Sequence, residues 1–175
     1  MESEPKDVIV LGSIRRGKKK FSDIQNETKI SPEELNSILE ELENRKFIRV
    51  EELKGWFGKK IELKITEDGS NELDRKIIEI QDKWKEMQSI YESGDKQKLQ
   101  QKMEENKSFL PTMMFFGVMD MMMFSMMFSM MGIGMSDYVS QENMSNGGMD
   151  DGGMDDGGMD DGGMDDGGFD FDIGF

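Results

Sequence analysis

The chain has no cysteine and no histidine. Without cysteine there is no disulfide framework, no thiolate nucleophile and no cysteine zinc site. Without histidine the commonest general base and the commonest metal ligand are missing as well. Carboxylates and lysines remain, but no spaced pair of them forms a recognisable acid-base or metal motif, so the chain is expected to be non-enzymatic, with no metal site and no cofactor. Only 3 prolines and 2 tryptophans occur among its 175 residues. No secretory signal is expected either, since Met1 to Asp7 is acidic and polar and the first apolar run, Val8 to Leu11, is too short for a signal core. The expected location is the cytoplasm.

What the chain does have is charge, unevenly placed. The formal net charge is −15. Residues 1–75 balance 15 Lys and Arg against 17 Asp and Glu, and residues 76–108 balance 7 against 7, whereas residues 109–175 hold 13 acidic residues and no basic one. The acidity belongs to the C-terminal end, and the rest is nearly neutral with local basic clusters.

Periodicity divides the chain into four parts. The first, residues 1–69, starts with a broad apolar stripe (Val8, Leu11, Ile14, with Ile9 and Val10) ended by Gly17, which predicts a helix over Asp7–Arg16. Phe21–Thr28, with Ser22 as its cap, predicts a short second helix. Ser31, Pro32 and Glu34 form a capping-box pattern that starts a third helix, whose buried face is Leu35, Ile38, Leu39 and Leu42. From Phe47 the pattern becomes extended: Phe47–Val50, a turn at Lys54–Gly58, then Lys59–Ile65 with Ile61, Leu63 and Ile65 alternating, a two-stranded hairpin.

Three helices followed by a hairpin is the order of a winged helix-turn-helix. The runs ISPEELNSILEELENRKFIRV (Ile30 to Val50) and KKIELKITEDGSNEL (Lys59 to Leu73) resemble the winged-helix domains of archaeal and bacterial regulators of the PadR and MarR type, in which a strand ending in a Thr-x-x-Gly turn leads into the next helix. The resemblance covers about the first 75 residues. It implies duplex DNA as the partner, with the third helix in the major groove and the wing on the backbone. The basic residues suited to phosphates are Arg15, Arg16, Lys18, Lys19 and Lys20 before helix two, Lys29 before helix three, and Lys54, Lys59 and Lys60 on the wing, with Asn36 and Ser37 as polar groups on helix three. The third helix otherwise presents Glu33, Glu34, Glu40 and Glu41, so contact is expected mainly through phosphates rather than by reading bases. A winged helix used for protein contacts is the alternative.

Residues 70–108 form a helical stalk. Leu73, Ile77, Ile80, Trp84, Met87 and Tyr91 recur at spacings of four and three, a heptad seam that predicts a homodimer or packing back onto the chain itself. Gly94 ends this helix, and a second short one follows from Lys96.

Residues 109–135 are apolar: LPTMMFFGVMDMMMFSMMFSMMGIGM holds 11 of the 19 methionines, and Asp120 is its only charge. Met113, Met122, Met123, Met126 and Met127 are expected to lie on an apolar association element, helical throughout. Three readings stand. The element self-associates; it spans a membrane, with six lysines from Lys83 to Lys107 on one flank and acids on the other; or it captures hydrophobic clients, since methionine is over-used at promiscuous apolar surfaces and the run is similar to the methionine-bristle grooves of signal-recognition-particle proteins.

Residues 136–175 are four GGMDD units and the closing FDFDIGF. Paired glycines and aspartates every five residues offer no core, which predicts a disordered tail. The closing residues are similar to the acidic tip of single-stranded-DNA-binding proteins. That likeness implies a protein partner, with Phe169, Phe171, Ile173 and Phe175 as anchors.

Overall fold

A computed structural model describes residues 5–55 and 58–139. Within them the chain is mostly helical with one antiparallel hairpin, and it builds two apolar cores along one long helix.

The first core closes as the sequence suggests. Helix α1 (Lys6–Arg15) buries Val8, Val10, Leu11 and Ile14. Gly17 then turns the chain through the left-handed region (φ 98°) into α2 (Phe21–Thr28). The cap of α2 differs from expectation: the N-cap is Lys20, with no side-chain cap bond, because Ser22 already lies inside the helix. Helix α3 (Pro32–Asn44) begins as predicted, with Ser31 Oγ accepting from the Glu34 amide at 3.3 Å. The reciprocal half of the capping box is not made, since the Glu34 carboxylate takes the Lys6 ammonium at 2.8 Å instead. Leu35, Leu39 and Leu42 point inward.

Strands β1 (Ile48–Gly55) and β2 (Gly58–Ile65) pair antiparallel, with Ile48 opposite Ile65 and Gly55 opposite Gly58. Ile48 and Leu63 close the base of the hairpin over the helices, while Val50 and Ile61 further out are exposed. The amide of Leu63 donates to the Lys19 carbonyl at 2.8 Å, which fastens the α1–α2 link to the wing.

The Thr-x-x-Gly turn is the joint between wing and long helix. Thr66 caps α4 (Glu67–Ser93), its Oγ accepting from the Gly69 amide at 3.1 Å. The same hydroxyl donates to the Lys46 carbonyl at 2.7 Å, and the Thr66 amide donates to the Phe47 carbonyl at 2.9 Å. Gly69 has no room for a side chain, because a Cβ there would stand 2.0 Å from the Phe47 carbonyl oxygen.

Helix α4 carries Leu73 into the first core and Ile80, Trp84, Met87 and Ile90 into the second. Gly94 ends it in the left-handed region (φ 76°), and α5 (Lys96–Glu105), capped by Asp95, folds back along it with Leu99 and Met103 buried. The apolar run is helical but not one helix. It forms α6 (Leu110–Phe115), a turn at Gly117 (φ 64°), and α7 (Met121–Met131). Asp120, the one charge in the run, starts the second helix: its carboxylate accepts from the amides of Met122 and Met123 at 2.9 and 3.0 Å, so it caps α7 while staying exposed. Phe124, Met127, Phe128 and Met131 then pack inward against α4 and α5. Among the described residues no helix is long and apolar enough to cross a membrane.

Candidate nucleic-acid interface

The residues expected to meet phosphates gather around α2 and the wing. Lys18, Lys19 and Lys20 lie in the exposed link whose backbone is held by the Leu63 amide. Lys29 sits at the other end of α2, at its C-cap, in a left-handed conformation (φ 56°) that only the turn into α3 demands. Helix α2 is eight residues long, so the link and Lys29 are roughly 12 Å apart along it.

The state of each cation differs from what sequence alone conveys. On the wing Lys59 pairs with Glu52 (3.2 Å), Lys60 with Glu62 (2.7 Å), and Arg49 and Lys64 with Glu51 (2.9 and 2.6 Å). Lys19 approaches Glu62 from the α1–α2 link at 3.8 Å. Hydrogen bonding to Lys64 holds the Glu51 carboxyl below its ordinary range, and Lys60 does the same for Glu62, so both remain ionised through neutral pH and neutralise the wing. Arg15 pairs with Asp74. Among the described residues Lys18, Lys20, Lys29 and Lys54 make no ion pair and are exposed. Of the residues expected to meet phosphates, these four are the ones open to an incoming anion.

Arg16 is committed elsewhere. Its guanidinium donates to the Phe115 carbonyl at 2.7 Å, lies 4.2 Å from the centre of the Phe115 ring, and reaches Glu27 at 3.6 Å. Beside it Phe116 packs against both cores, with its ring over Gly12, where a Cβ would come 2.5 Å from the ring tip. Arg16 is therefore the cation that ties the methionine-rich part to the winged helix. Sequence reasoning missed this. The available signal was a glycine in the middle of an apolar helix, in Val10-Leu11-Gly12-Ser13-Ile14, a pattern that often marks close approach.

The outer face of α3 is acidic, as its sequence implies. Glu33, Glu34, Asn36, Ser37, Glu40 and Glu41 are all exposed, and Asn36 donates its side-chain amide to Glu40 at 2.7 Å. Of the two polar groups on this helix, only Ser37 is left without a side-chain partner among the described residues.

The stalk residues assigned to dimerisation lie inside the chain's own cores. Leu73, Ile80, Trp84 and Met87 are buried, with Ile77 and Tyr91 packed at the edges of the first and second core. The physical reason is that the winged helix covers Leu73 and Ile77 while α5, α6 and α7 fold back over the rest of the seam, supplying the apolar partners that a second copy would otherwise bring. The methionines of the apolar run divide in the same way: Met113 and Met127 are fully buried and Met123 partly so, while Met122 (71% exposed) and Met126 (46%) face outward. The docking tip Phe169, Phe171, Ile173 and Phe175 and the tail containing it lie outside the described residues.

A family model described as an HxlR-like helix-turn-helix matches residues 5–93. The match therefore ends where α4 ends. No curated protein and no solved structure matches the chain.

Proposed function

The chain belongs to the HxlR-like helix-turn-helix family, a family of winged helix-turn-helix transcription regulators, and from that premise we propose that it binds duplex DNA mainly through phosphates. The observation that carries this reading is the set of unpaired, exposed lysines at both ends of α2 (Lys18, Lys20, Lys29) and on the wing (Lys54), set beside a third helix whose outer face is glutamate. Cations around the helix-turn-helix fix a protein on the backbone, whereas a glutamate face repels phosphate and offers bases only a few acceptors. Sequence preference should accordingly be shallow.

The same acidic α3 face favours a second reading, in which the winged helix also meets a basic protein surface, with Met122 and Met126, exposed on α7, as a separate apolar contact.

The test is anisotropy with a labelled duplex of arbitrary sequence over a salt series. Affinity should fall steeply with salt. Lys18→Ala, Lys20→Ala and Lys29→Ala together should lower the slope of log K against log salt by about 2.7, at about 0.9 for each phosphate no longer neutralised. An unchanged slope in the triple variant, or no binding at about 50 mM salt by any form of the chain, overturns the reading.

A further inference from the structure

Residues 140–175 carry eleven carboxylates and no lysine or arginine. Nothing within that stretch neutralises them. Elsewhere Lys46 and Lys54 in the winged helix and Lys96 and Lys98 on α5 are single exposed lysines without ion pairs among the described residues. Most cations of the winged helix are already paired, on the wing with Glu51, Glu52 and Glu62, and at the end of α1 with Asp74 and Glu27. The group that brackets α2 is Lys18, Lys20 and Lys29, all exposed and without ion-pair partners among the described residues.

We infer that the acidic C-terminal stretch docks in cis on the Lys18, Lys20 and Lys29 surface and competes there with DNA. The inference rests on the DNA reading for its consequence, though not for the docking itself.

Reach permits it. Val139, the last described residue, is buried in the second core. The winged helix lies at the other end of α4, whose 27 residues span about 40 Å. The 36 residues beyond Val139 can cover up to about 120 Å when extended.

Charge permits it too. Aspartates come in pairs at 150–151, 155–156, 160–161 and 165–166, then singly at 170 and 172, so several successive pairs can meet the three lysines without a unique register. A contact between carboxylates and lysines needs no apolar groove.

An effective concentration of about 1 mM for a tethered segment, set against an intrinsic Kd of about 0.1 mM typical of weak polyanion binding, predicts about a tenfold reduction in DNA affinity.

The experiment uses the full-length chain and a full-length variant in which each of the ten aspartates from Asp150 to Asp172 is changed to Asn. Two quantities are read at about 50 mM salt. The first is the backbone amide shifts of Lys18, Lys20 and Lys29 in DNA-free protein. The second is the Kd for a duplex.

Shift differences confined to the α1–α2 link and the α2–α3 turn, together with about tenfold tighter DNA binding by the variant, support the inference. Shift differences with no DNA binding by either form support docking and remove the DNA reading. Identical shifts overturn the inference whatever the affinities do, because tighter binding without a local contact would be general charge repulsion. Equal affinities despite shift differences overturn the competition.

Discussion

Two glycines buried in helices give opposite forecasts for the same added methyl. At Gly69 the new Cβ would sit 2.0 Å from the Phe47 carbonyl oxygen, a backbone atom with no rotamer to escape into. Restoring an acceptable separation of about 3 Å moves the first turn of α4 away from the Phe47 backbone by about 1 Å. That withdrawal breaks the 2.9 Å bond from the Thr66 amide to Phe47 and the 2.7 Å bond from the Thr66 hydroxyl to Lys46. Two half-buried groups left unpaired cost about 1–2 kcal/mol each, against about 1 kcal/mol returned by the better helix propensity of alanine. Gly69→Ala should therefore destabilise by about 2 kcal/mol, which at about 4 °C per kcal/mol is a Tm roughly 8 °C lower. At Gly12 the obstacle is the tip of the Phe116 ring, 2.5 Å away on a side chain that can swing. Gly12→Ala should stay within about 1 kcal/mol of the parent, since the propensity gain and the ring displacement oppose each other. Thermal unfolding followed by far-UV circular dichroism measures both. A Gly69→Ala protein melting within about 2 °C of the parent would refute the argument, because the Thr66 joint would then not depend on the missing Cβ.

Three further outcomes follow from the same geometry. Glu62→Gln removes the carboxylate that Lys60 and Lys19 share, so duplex affinity at low salt should rise and the slope of log K against log salt should steepen by about 1 to 2, read by anisotropy. Glu51, Glu62 and Glu72 all have carboxyls held below the ordinary value, by hydrogen bonds from Lys64, Lys60 and Arg75 respectively. The stability they add is complete above the unfolded value of about 4.3 and is lost as pH falls through their lower folded values, so urea midpoints should stay level from neutral pH to about 5 and drop below about 4, with a shallower acid limb in the Glu51→Gln, Glu62→Gln double variant. Met122→Ser with Met126→Ser should leave the melting temperature nearly unchanged, within about 0.5 kcal/mol, whereas Met113→Ser with Met127→Ser should lower it by several kcal/mol; if light scattering shows the outward pair reducing oligomer size, that ridge is an association surface.

The winged helix was legible because its signals are local. The Ser31–Pro32 start of α3, the alternation in β2 and the Thr66-x-x-Gly69 turn each sit within a few residues of the feature they encode. The fate of the heptad seam was not legible, because Leu73 to Tyr91 carries the same periodicity whether a second copy or the chain's own α5 to α7 covers it. In the sequence Asp120 is simply a charge in an apolar run, and its capping role emerges only once the run is seen to break at Gly117. Which lysines are open was equally hidden. Lys18 and Lys60 look alike in sequence, and only the placement of Glu62 beside one of them separates the two.

The second core is built largely from thioethers: Met87, Met103, Met113, Met119, Met127 and Met131 are all buried in it. Sulfur filling of this kind packs irregular space well, but it makes the core chemically oxidisable in a way that a leucine core is not. Met122 and Met126 stand outside and meet peroxide first, and their conversion to sulfoxides alters only the surface. Oxidation of the inner six requires the core to open, and each sulfoxide formed there is polar and hinders reclosure. Peroxide damage in this part of the chain should therefore be slow at first and then self-accelerating, and it would release α4 from its covering helices while sparing the first core, in which no methionine is buried among the described residues.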